Sequence, residues 1–157
     1  MQRTPQPDLH IHLATALVRR DGAVLLVASR YPNHAQPLWN LPGGRQQPGE
    51  LLAGTVLREL REETGLEGTI RELCYVSESY DGRAHFINST FAVDAAGEPE
   101  PPHVEGDHVV DAAWVPVEQI ARRLSVRVVR EPLLAFLERG RRYAGYAEAG
   151  ITIEFPD

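Results

Sequence analysis

Residues 44–66 read GRQQPGELLAGTVLRELREETGL, and no other stretch limits so sharply what the chain can fold into. Ala53, Val56, Leu57 and Leu60 follow the i, i+3, i+4, i+7 spacing of a helix that buries one stripe. The spacing predicts a helix from Glu50 or Leu51 to Thr64, with Gly65 as its C-terminal stop. Glu59, Glu62 and Glu63 stand at i, i+3 and i+4 and share a second face, about 125° round the helix from the first. One face anchors the helix and the other presents carboxylates. With Glu50, four glutamates crowd around a single Arg58. Crowded carboxylates cost free energy, and folds that gather them place a cation among them. An oxygen-only donor set suits a hard divalent ion, Mg2+ or Mn2+, over a thiolate-seeking metal. Arg58 can pair with Glu62 at i+4 or with Glu50 across the loop. The alternative for the charges alone is a solvated Glu–Arg helix face.

Around this unit the chain alternates short strands and turns. Residues 12–19 and 23–29 read as strands joined by an Asp21-Gly22 hairpin signal. Residues 31–37 read as a loop, residues 38–41 as a brief strand, and residues 69–77 and 85–93 as strands about an Asp81-Gly82 turn. Residues 95–106, rich in Pro, Glu and Gly, read as a loop and residues 109–115 as a strand. Residues 117–124 and 131–139 read as helices, with Pro132 suited to a first turn. Residues 151–155 suggest an edge strand. Strands around one interrupting helix, with helices at the end, predict an α/β fold whose mixed sheet is covered on both faces.

A chain of 157 residues is expected to be one domain. Its 43% hydrophobic and 24% charged residues are ordinary for a globular protein. A net charge of −6 argues against binding a nucleic-acid duplex, which needs a basic face. Cys74 is the single cysteine, which excludes an intramolecular disulfide and fits a cytoplasmic location. No apolar run approaches membrane-spanning length, and the N-terminus lacks the apolar core of a signal peptide. No G-x4-G-K-[ST] string exists, which excludes a P-loop enzyme.

The glutamate-rich stretch resembles the Nudix hydrolase family, whose box is G-x5-E-x7-R-E-U-x-E-E-x-G-U with U aliphatic. Every fixed position is present: Gly44, Glu50, Arg58, Glu59, Leu60, Glu62, Glu63, Gly65 and Leu66. The resemblance implies an α/β/α sandwich with a mixed β-sheet over residues 12–139. Residues 1–11, with Pro5, Pro7 and polar neighbours, read as a flexible leader, and residues 140–157 form a C-terminal extension that the resemblance does not explain. It implies a Mg2+-dependent pyrophosphohydrolase, with Mn2+ as a substitute, in which water attacks one phosphorus of a nucleoside diphosphate linked to a further moiety X. Nucleoside triphosphates, dinucleoside polyphosphates and nucleotide sugars belong to that class. The implied partner is this small nucleotide, with no membrane, and a homodimer stays open. The implied metal ligands are Glu59, Glu62, Glu63 and the Gly44 carbonyl, with Arg58 orienting the carboxylates.

Relatives often carry a further glutamate six residues before a tryptophan, in a pattern like D-E-hydrophobic-x-x-A-x-W. The matching stretch runs from Asp107 to Trp114 and puts His108 in the glutamate position. Glu105 ranks first as substitute base or metal ligand, ahead of Asp107, His108 and a box glutamate. Arg30 and Arg45 are candidate phosphate contacts, weighed against solvated surface. Tyr80 and Arg83 flank the Asp81-Gly82 turn and are candidates to touch a base or second phosphate. Trp39 and Cys74 read as core, and the His10/His12 pair as chance. Two rivals share the fold. A nucleotide-sensing domain without catalysis usually shows eroded carboxylates, and an isopentenyl-diphosphate isomerase needs a catalytic cysteine context that Cys74 lacks.

Overall fold

The protein is described by a computed structural model over residues 9–100 and 108–153. Its strands are β1 (Leu9–Leu17), β2 (Arg19–Arg20), β3 (Ala23–Ser29), β4 (Leu38–Asn40), β5 (Gly43–Arg45), β6 (Gly68–Tyr80), β7 (Ala84–Ala95), β8 (Val109–Pro116) and β9 (Tyr143–Tyr146). Helix α1 (Leu52–Thr64) lies between β5 and β6, and α2 (Ile120–Arg123) and α3 (Arg127–Arg139) follow β8. One sheet has the order β5-β1-β7-β6-β9. It is mixed, because β1 runs parallel to β7 and β6 parallel to β9 while the other two pairings are antiparallel. The second sheet is antiparallel, with β3 pairing β2, β4 and β8.

Period-two alternation sends successive residues to opposite faces, and that alternation builds the sandwich. Ala14, Ala16, Val18 and Leu25 pack with Val56 and Leu60 of α1. Leu17, Val24, Leu26 and Val115 pack instead with Ile120, Leu124 and Leu133 of the C-terminal helices. Helices therefore cover both faces, and the expected α/β/α sandwich is present. Cys74 is 2% exposed in the second cluster, and Trp39 packs against its rim.

Several local expectations need correction. The first strand starts at Leu9 and is interrupted at Val18, so the Asp21-Gly22 hairpin joins only β2 to β3. β1 leaves that hairpin to pair with β5 and β7, which divides the predicted single sheet into two. The last helix begins at Arg127, so Pro132 lies inside it. Arg130 ties the first turn to the loop before it by donating to the carbonyls of Leu124 and Ser125 at 3.0 and 3.1 Å. The proline forgoes one bond to the preceding turn and buries its ring. The edge strand falls at Tyr143–Tyr146, beside β6, and residues 151–153 form no strand.

Candidate functional site

The start of α1 is set by the loop before it. Glu50 Oε1 accepts hydrogen bonds from the Gln47 N–H at 2.9 Å and the Thr55 hydroxyl at 3.1 Å, bridging loop and first turn. The helix ends where Gly65 takes the left-handed conformation (φ 75°), a geometry that suits glycine. Between these limits Val56 and Leu60 are fully buried and fix the helix's rotation.

That rotation aims the second face at β5. Glu63 is 3% exposed, and its Oε1 accepts the Gly43 N–H at 2.7 Å. The carboxylate face is thus no uniformly exposed surface: Glu63 is buried against the glycine strand, while Glu62 stays 42% exposed. A Cβ on Gly44 would lie 2.5 Å from Glu59 Oε1, so only glycine lets this backbone approach the carboxylate.

Arg58 lies among the glutamates with all five of its N–H donors directed at oxygens. Its Nε and Nη2 grip both oxygens of Glu50 at 2.7 and 3.0 Å. Nη1 reaches Glu59 at 3.0 Å and Glu62 at 3.1 Å, and Nη2 also meets the Arg45 carbonyl at 3.2 Å. The two pairings left open by the sequence therefore occur together. These bonds, with that from the Gln47 N–H, hold the Glu50 carboxyl down at about 2 and push the Arg58 pKa upward. In this arrangement the Glu50, Glu59 and Glu62 carboxylates turn toward Arg58, and among the described residues no three His, Cys, Asp or Glu side chains are grouped to hold a metal. The donor chemistry nevertheless fits a hard divalent ion. Glu59, Glu62, Glu63 and the side-chain-free Gly44 backbone supply oxygens alone.

Glu59, Glu63, Gly44 and Arg45 line one end of a cleft of about 620 Å³ that runs on over β1, β7 and β6. Thr15, Asn88 and Ser77 form a polar row across its floor. The Thr15 hydroxyl meets Asn88 Oδ1 at 3.2 Å and the Thr90 hydroxyl at 2.7 Å, and Asn88 Nδ2 donates to Thr90 at 3.0 Å. Phe86 and Tyr31 add aromatic surface. Burial raises the Tyr31 pKa to about 12, with the Glu63 charge adding to the rise, so the phenol stays protonated.

His108 lines the cleft with its ring 5.5 Å from that of Tyr31. Glu105 and Asp107 lie outside the described residues. Arg30 is exposed and does not line the cleft. Tyr80 also stands off it, stacked on His85 at 4.2 Å. Arg83 does not line it either. His10 meets His85 at 3.3 Å, not His12. The sequence reading missed Thr15, Tyr31, Phe86 and Asn88. A usable signal existed in the polar run Asn88-Ser89-Thr90, set between the apolar Phe86-Ile87 and Phe91-Ala92-Val93 of one strand, and in Thr15 among alanines and leucines.

Comparisons with known proteins bear on the family and the fold. The NUDIX domain family model matches residues 9–137. ADP-ribose pyrophosphatase of Methanocaldococcus jannaschii is 35% identical over 94 residues, covering 57% of this chain and 55% of that protein. CTP pyrophosphohydrolase of Escherichia coli is 37% identical over 62 residues, covering 40% and 46%. The chain spans about half the length of these curated relatives. A solved NUDIX hydrolase from Nitrosomonas europaea superposes with a TM-score of 0.72 over 87% of this chain and 93% of that one, at 20% identity. With the family match covering most of its length and the same fold in solved relatives, this chain belongs to the NUDIX family.

Proposed function

We propose that this protein is a Mg2+-dependent pyrophosphohydrolase acting on a nucleoside diphosphate linked to X. The observation that carries this reading is one continuous cleft. Glu59, Glu63 and Gly44 stand at one end of it, and an aromatic surface with a polar floor continues from there. The two relatives named above have ADP-ribose and CTP in their names, and both compounds contain a nucleoside diphosphate unit.

Glu59, Glu62, Glu63 and the Gly44 carbonyl would hold the metal. Bound there, Mg2+ or Mn2+ would neutralise phosphate oxygens and make a water more acidic. Arg58 orients Glu59 and Glu62 through one Nη1 and locks Glu50 to the loop, so the carboxylates are positioned before substrate arrives. The Gly43 N–H fixes one oxygen of Glu63 against β5. Arg45, the only Lys or Arg among the described residues lining the cleft, adds a positive charge beside the phosphates. One cation suits a short diphosphate or triphosphate chain already partly neutralised by metal.

The proton acceptor is Glu105, His108 or a box glutamate. Glu105→Gln that lowers kcat far more than KM assigns it to Glu105. A pH–rate limb abolished by His108→Ala assigns it to His108.

The deciding experiment is a panel of nucleoside triphosphates, dinucleoside polyphosphates and nucleotide sugars assayed with millimolar Mg2+ and with chelator. The expected result is phosphoanhydride cleavage with Mg2+, lost on chelation and restored by Mg2+ or Mn2+. Full activity in chelator, or nucleotide binding with no turnover of any compound, would overturn the reading, the latter in favour of a sensing domain.

A further inference from the structure

The family match stops at residue 137, but the cleft's lining does not. Ala149, Ile151 and Ile153 contribute to its wall. Ala149 is fixed at the end of β6, where its N–H donates to the Tyr80 carbonyl at 2.8 Å. Gly150, at φ 74°, then bends the chain. Ile151 and Ile153 are half-buried on either side of exposed Thr152, which places two apolar side chains on the cleft face and a polar one outside.

Beyond the Ala149 bond to the end of β6, the backbone of this segment is held by side chains. The Thr152 carbonyl accepts two hydrogen bonds from the loop after β3, from Asn33 Nδ2 at 2.6 Å and His34 Nε2 at 2.9 Å. A carbonyl cannot donate, so the His34 Nε2 carries the hydrogen. From the β6–β7 turn, Arg83 Nη2 reaches the Ile153 carbonyl at 3.4 Å. The segment thus spans from that turn to the loop. The anchors at Thr152 and Ile153 use backbone oxygens, and both isoleucines line the cleft.

We propose that residues 149–153 form the wall that receives the nucleoside end of the substrate. The inference rests on the nucleotide reading given above. The phosphate end belongs with Glu59, Glu63, Gly44 and Arg45, whereas Ile151 and Ile153 offer apolar surface suited to a flat heterocycle. Phe86 and Tyr31 complete that surface, and Asn88 and Ser77 on the floor present hydrogen-bonding groups to the ring's polar edge. This segment therefore contributes to choosing among nucleosides, and it does so from outside the family-matched region.

Two double variants test the assignment. Ile151→Ser with Ile153→Ser removes the apolar wall. Asn33→Ala with His34→Ala removes the Thr152 anchors and changes no residue of the lining. With ATP, CTP, GTP and UTP as substrates and inorganic triphosphate as a base-free competitive inhibitor, each double variant should raise KM for the preferred nucleotide about tenfold. In both, kcat should stay within about twofold and the inhibition constant of inorganic triphosphate should not change. Ile151→Val with Ile153→Val should restore KM. Unchanged KM in both double variants, or an equal weakening of inorganic triphosphate, overturns the assignment while wild-type hydrolysis leaves the functional reading intact.

Amide hydrogen exchange of wild type, with and without nucleoside triphosphate and Mg2+, separates the two claims if no turnover is found. Slower exchange over residues 149–153 without hydrolysis keeps the wall and rejects the hydrolase. Unaltered exchange rejects the wall.

Discussion

Glu63 combines burial with a charge-assisted hydrogen bond from the Gly43 N–H. Its replacement by glutamine preserves an acceptor for that N–H while removing the negative charge. Glu63→Gln, and likewise Glu59→Gln, should therefore keep the fold by circular dichroism while lowering kcat by about two orders of magnitude. Activity within twofold of wild type in both variants would place the chemistry elsewhere. Glu50 supports a separate expectation about acid. Its folded-state value of about 2 lies below the ordinary 4.5. Its tie to Arg58 therefore stabilises the fold fully above pH 4.5 and is lost as pH falls toward about 2. Melting curves across that window, run in chelator, should fall more steeply for wild type than for Glu50→Gln. The box residues were legible in sequence because one loop and one helix fix their spacing. Thr15, Tyr31 and Asn88 were not, because β1, the loop after β3 and β7 bring them together only through sheet pairing.

At the scale of elements, α1 and β5 work as a pair. The helix presents carboxylates only because the strand opposite it carries no side chain at Gly44. Gly44→Ala should force Glu59 off its position, since the new Cβ would lie 2.5 Å from Oε1 and 2.6 Å from the carboxyl carbon. The expected result is a loss of kcat of about tenfold or more with a melting temperature close to wild type, because the displaced group is a partly exposed side chain and not backbone. A variant with full activity would show that Glu59 needs no fixed placement. The helix itself was readable to within two residues from its stripe and its terminal glycine. The C-terminal elements were not. Pro132 reads as a first-turn residue by local preference, but the helix begins at Arg127, and Arg130 ties it to the carbonyls of Leu124 and Ser125 in the preceding loop. Residues 151–155 suggested an edge strand, and over the described residues 151–153 the alternation instead puts Ile151 and Ile153 on a cleft.

Across the whole molecule, the sandwich follows from alternation that the sequence displays, and its layers were foreseen. Its division into two sheets was not, because nothing local marks the break between β1 and β2 or tells which distant strand each will join. β1 joins β7 in parallel, with Leu9 opposite Ala84 and Leu17 opposite Ala92. The pairing connects residues 75 positions apart. Such non-local contacts require a large loop to close before they give anything back, and they slow folding. The glutamate-rich segment is complete in the chain long before β7 is available, yet the cleft floor that it faces is made of both. A refolding chain should accordingly regain helical signal well before it recovers any capacity to hold a nucleotide, with binding competence appearing only as β1 and β7 come into register.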